Sequence, residues 1–85
     1  MEVIFIYTED CPDCKRMRSF LEKAIEVSGK NIEIRAFDCE TDEAVDLAIE
    51  HGIDDLPGCA IGEHKFFGED GFTYEGILEA VQKLS

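Results

Sequence analysis

The apolar run Val3-Ile4-Phe5-Ile6-Tyr7, and the way it ends, constrains the fold more than anything else in the chain. Its residues are β-branched or aromatic with no polar alternation, the pattern of a strand buried on both faces. A buried helix is excluded by the Pro12 that follows a short polar connection, Thr8-Glu9-Asp10. Pro12 suits the first position of a helix, where its missing N–H leaves no bond unmade. A central strand passing directly into a helix is therefore expected, and Cys11-Pro12-Asp13-Cys14 falls on the junction.

The rest of the chain can be placed around that junction. Met17, Phe20, Leu21, Ala24 and Ile25 recur at helical spacing, and Gly29 is placed to stop the helix. Ile32, Ile34 and Ala36 alternate with Glu33 and Arg35 as in a half-exposed strand near a sheet edge, closed by Asp38-Cys39-Glu40. Thr41 can cap a second helix through Ala44, Val45, Leu47, Ala48 and Ile49, with Gly52 as its stop. Gly58-Cys59-Ala60-Ile61, the turn Gly62-Glu63-His64 and Lys65-Phe66-Phe67 describe a β-hairpin, followed by the loop Gly68-Glu69-Asp70-Gly71. Tyr74, Ile77, Leu78, Val81 and Leu84 form a last helical stripe. The order is β-α-β-α-β-β-α, an α/β fold with one four-stranded mixed sheet and helices on both faces. The second strand is expected to run parallel to the first by a right-handed crossover, and the third to join the first in the same way. The hairpin then adds an antiparallel strand.

At 85 residues, 45% of them hydrophobic, residues 1–85 make a single domain with one small core. The cysteines at 11, 14, 39 and 59 are too sparse for a secreted disulfide scaffold. With Met1 running straight into the first strand without a basic leader, a soluble, cytoplasmic protein is expected. A net charge of -12 repels phosphate backbones and anionic lipid alike, so neither nucleic acid nor a membrane is an expected partner.

The CPxC pair after the first strand, Leu56-Pro57 before the third and a Gly-containing loop after the fourth together resemble the glutaredoxin and small thioredoxin-like family, over essentially the whole chain. The resemblance implies a thioredoxin fold of glutaredoxin size. It makes Cys11 the nucleophile, Cys14 the residue that resolves the mixed disulfide, and Pro57 a cis proline facing them. Pro12, Asp13, Leu56, Pro57 and the loop Gly68, Glu69 and Asp70 would then contact substrate, and Pro57 would also shape the fold. Glutathione-using members carry a basic residue shortly before the first cysteine and an aromatic residue between the two. Here Glu9-Asp10 and Asp13 stand in those places. Glutathione is an anion, so these carboxylates disfavour it.

The chemistry of the pair points the same way. A thiolate is the attacking species, and a helix N-terminus offers free N–H groups and partial positive charge to stabilise one at Cys11. Cys14, one turn in, should be more shielded. Lys15, Arg16 and Arg18 support the anion, whereas Glu9, Asp10 and Asp13 oppose it, so a reducing couple of about −270 mV is expected. The competing readings are a structural CxxC or half of a zinc site, but Cys39, Cys59, His51 and His64 supply no second close pair, and no metal is assigned. Cys59 reads as a buried small hydrophobe. A Cys39–Cys59 disulfide is not expected, because the first strand should hold their Cα atoms beyond the ~7 Å limit. His51 and His64 read as structural.

The leading reading is a monomeric protein-disulfide reductase with no cofactor beyond the Cys11–Cys14 disulfide. Its partners would be disulfide-containing proteins and a thioredoxin-reductase-like, flavin-dependent or ferredoxin-dependent reductase. The alternatives are a glutathione-dependent glutaredoxin and a non-catalytic module that binds metal or a partner protein.

Overall fold

A computed structural model describes residues 1–84. Strand β1 (Glu2–Tyr7) is buried from Val3 to Ile6 and lies inside a four-stranded sheet of order β2-β1-β3-β4. Its side chains supply both faces, as the absence of alternation requires. Val3 and Phe5 enter one cluster with Met17, Leu21, Ile77 and Val81, while Ile4 and Ile6 enter another with Ala44, Ile53 and Ala60. Helices α1 (Pro12–Ser28) and α3 (Tyr74–Gln82) cover the first face, and α2 (Asp42–His51) lies on the second.

The helix ends follow the local chemistry of the sequence. Gly29 ends α1 in the left-handed conformation (φ 70°), with its N–H donating to the Glu26 carbonyl at 3.3 Å. Thr41 caps α2 by accepting from the Ala44 N–H at 3.2 Å, and Thr73 caps α3 by accepting from the Gly76 N–H at 3.0 Å. The C-terminus of α3 is closed from a distance: the Lys30 ammonium donates to the carbonyls of Val81, Gln82 and Leu84. A cation there satisfies free carbonyls and opposes the negative end of the helix dipole.

Strand β2 (Glu33–Asp38) pairs in parallel with β1, from Glu2 opposite Glu33 to Tyr7 opposite Asp38, and forms one edge of the sheet. Strand β3 (Gly58–Ile61) departs from the sequence reading, because it runs antiparallel to β1, with Ile6 opposite Gly58 and Ile4 opposite Ala60. A parallel crossover requires the chain to enter the sheet at the end where β1 begins. Here residues 52–57, between the helix stop and the strand, carry the chain back to the end where β1 finishes. β3 must then run against β1, and β4 (His64–Phe67) pairs antiparallel with it across Gly62-Glu63. The result places the C-terminal ends of β1 and β2 and the entry to β3 at one end of the sheet.

Candidate redox site at the start of the first helix

Asp10 makes the turn from β1 into α1 in the left-handed region (φ 54°), which Asp tolerates better than most residues. Cys11 then takes the cap position, with extended backbone (φ −112°, ψ 106°) and its Sγ accepting the Cys14 N–H at 3.1 Å. A sulfur stands where a serine or aspartate oxygen usually caps a helix. Pro12 occupies the first turn, as expected. Cys11 is half-buried, whereas Cys14 is buried at 4% exposure.

That difference separates the two thiols chemically. Burial is the largest cause pushing the Cys14 thiol up to about 11 from 9.0. A side-chain hydrogen bond with Cys11 and the charges of Cys11 and Asp13 add to the rise, and a backbone hydrogen bond from Thr8 opposes it. Cys14 therefore keeps its proton while Cys11 is free. A pocket of about 310 Å³ opens beside the pair, lined by Tyr7, Glu9, Asp10, Lys15 and Arg18 as well as both cysteines.

The Leu56–Pro57 bond is cis, and Pro57 is fully buried just ahead of the strand that pairs with β1. Its carbonyl accepts the Gly68 N–H at 3.0 Å, which ties the loop after β4 to the proline. Arg16 ties the same loop to α1 by donating to the Glu69 carbonyl at 2.7 Å, with its guanidinium 4.6 Å from the Phe72 ring centre and 3.5 Å from the Asp13 carboxylate. Of the site residues named from sequence, Cys11, Pro12, Asp13 and Cys14 thus share the first turn of α1. Leu56, Pro57 and Gly68 form a connected segment. Glu69 takes part through its backbone, and its side chain and Asp70 lie exposed. Arg16 was legible only as nearby positive charge; its role in holding the loop joins residues 53 positions apart.

The remaining cysteines lie on opposite faces of the sheet. Cys59 is wholly buried in the first cluster, and that burial pushes its thiol up to about 12. Cys39 is half-buried against the second cluster, with its N–H on the Tyr7 carbonyl at 2.8 Å. β1 runs between β2, which Cys39 follows, and β3, which carries Cys59. Among the described residues, no three His, Cys, Asp or Glu side chains converge as a metal site would need. No described helix is long and apolar enough to cross a membrane.

No family model and no curated protein matches the sequence. Solved structures do match its shape. Mitochondrial thioredoxin 3 from Saccharomyces cerevisiae, in its oxidised form, superimposes with a TM-score of 0.70 at 24% identity, over 98% of this chain and 77% of that one. Thioredoxin 1 from Thermosipho africanus TCF52B gives 0.69 at 16% identity, over 98% of this chain and 92% of that one. The chain has a thioredoxin fold. Oxidised thioredoxin from Plasmodium falciparum also superimposes, with a TM-score of 0.62 at 19% identity over 92% of this chain and 77% of that one.

Proposed function

We propose that this thioredoxin-fold chain reduces disulfides in proteins by dithiol–disulfide exchange through Cys11 and Cys14. The observation that carries this reading is the asymmetry of the pair. One sulfur is half-buried and held by a helix-terminal N–H, and the other is sealed behind it with its thiol raised to about 11.

The Cys11 thiolate attacks one sulfur of the substrate disulfide, forming a mixed disulfide and expelling the other substrate sulfur as a thiolate, which takes up a proton. Bonding Cys11 to substrate removes its negative charge and its hydrogen bond with Cys14, both of which hold the Cys14 thiol up. Cys14 then loses its proton more readily and attacks Cys11 Sγ. That step releases the second substrate thiol and leaves a Cys11–Cys14 disulfide. Two electrons have passed from the pair to the substrate, and a flavin- or ferredoxin-dependent reductase returns them. Leu56, half-buried just ahead of Pro57, is the part of the cis-proline segment open to an extended substrate. Glu9, Asp10 and Asp13 around the sulfur favour such a reductase over anionic glutathione as the electron source.

The test is disulfide reduction with a thioredoxin-reductase system and with a glutathione system in parallel. Wild type should turn over with the first, Cys11→Ser should lose turnover, and Cys14→Ser should accumulate a mixed disulfide. No turnover with either system, or full turnover of Cys11→Ser, would overturn the reading. A reduction potential above the range of protein disulfide isomerase, about −180 mV, would remove its reducing direction.

A further inference from the structure

Helix α2 leaves apolar side chains in solvent at the end of the sheet where the redox pair lies. Ala44 is its buried residue, whereas Val45 is 49% and Ile49 76% exposed. Both line a groove of about 420 Å³ between the helix and the segment leading into β3, with Ile6, Ala48 and Leu56 among its other walls. The groove therefore reaches Leu56, the residue ahead of Pro57 that the proposed function offers to substrate. Acidic residues line and flank it: Asp54 and Asp55 are among its walls, and α2 itself carries Asp42, Glu43, Asp46 and Glu50. Arg35 stands 4.0 Å from Glu43, and Lys65 lies against Gly52 where the helix stops. Among the described residues, no ion pair engages Asp46, Glu50, Asp54 or Asp55.

We propose that this groove docks a cationic segment of the substrate protein, with an apolar side chain seated against Val45, Ile49 and Leu56 and flanking lysines or arginines facing these carboxylates. Exposed apolar area contributes affinity when it is covered, and charge of one sign around it selects a partner of the other. A second copy of this chain fits poorly, since it would bring the carboxylates of α2 against their own likeness. The proposal rests on the disulfide-reductase reading and names the class of substrate.

The experiment uses two synthetic peptides cyclised by a disulfide that differ only in the flanks of an apolar pair, Lys-Leu-Phe-Lys or Glu-Leu-Phe-Glu. KM for the lysine peptide should be lower by about tenfold at low salt, and most of that preference should vanish near half-molar salt, where charges are screened within a few ångströms. In the Val45→Ser/Ile49→Ser double variant KM for the lysine peptide should rise about fivefold, with its kcat retained. Independently of turnover, a linear lysine peptide without cysteine should shift the backbone amide resonances of residues 44–50 and 54–56 in the Cys11→Ser protein. Equal KM values for the two cyclic peptides overturn the proposal. So do amide shifts confined to other residues, or a sedimenting dimer that the double variant dissolves. If no disulfide is turned over but the amide shifts appear at the groove, the redox reading fails and the docking site stands.

Discussion

Exposing the reduced protein to iodoacetamide at pH 7 should label Cys11 and leave Cys14 almost untouched. With its thiol pushed up to about 11, against an ordinary 9.0, Cys14 is ionised in roughly one molecule in ten thousand at that pH. This is about a hundredfold below an unperturbed thiol. A thiolate of higher pKa is also the stronger nucleophile, and a Brønsted slope of ~0.45 over about two units returns a factor of about eight. Ionisation and nucleophilicity together leave Cys14 about twelvefold slower than the same residue in the unfolded chain. Burial at 4% exposure slows it further by blocking approach of the reagent. The assay is a timed pulse with the native protein and with protein unfolded in urea, quenched in acid and read by peptide mass spectrometry. Labelling of native Cys14 at the unfolded rate would refute the argument that burial and its hydrogen bond hold the proton on this sulfur.

Three further outcomes follow from the packing. Cys59 should make the reduced protein lose stability above pH 9: its unfolded thiol ionises from 9.0 upward while the folded one holds its proton to about 12. The unfolded state therefore releases the proton first, and stability falls by about 1.4 kcal/mol between pH 8 and pH 10. Urea unfolding of wild type and Cys59→Ala at both pH values isolates the effect, because the other titrating groups cancel in the difference. Lys30→Met should destabilise the fold by about 1–2 kcal/mol, since it strips the ammonium from the last carbonyls of α3, and the loss should appear as earlier amide exchange in that helix. Gly71→Ala should disturb the loop after β4, because an added Cβ would lie 1.8 Å from the Phe67 carbonyl oxygen. A fall in melting temperature of at least several degrees is expected, and an unchanged one would contradict the close approach.

How much of this was legible in the sequence depended on whether the cause was local. β1 declared itself because an uninterrupted apolar run has no solvent face. The ends of α1 and α2 were legible because Pro12, Gly29, Thr41 and Gly52 act through their own backbone and nearest turn. The hairpin followed from Gly62, which turns the chain at φ 60°. The direction of β3 was not legible, because it depends on how far residues 52–57 travel back along α2, and no periodicity records that. The periodicity of α2 likewise does not show that Val45 and Ile49 stay in solvent; that depends on what else covers the second sheet face. At the site, the cysteine pair and its helix start were readable. The hold of Arg16 on the Glu69 carbonyl was not, because a contact between distant residues leaves no spacing to recognise.

The capping of α1 by Cys11 Sγ assigns one atom both to the start of the longest helix and to the proposed electron transfer. Serine is a strong helix cap in its own right, so Cys11→Ser exchanges that atom for one that accepts the same N–H but exchanges no disulfide. An inert protein with an intact helix start is therefore one substitution away, and binding to partners can be measured on it without the chemistry that would release them.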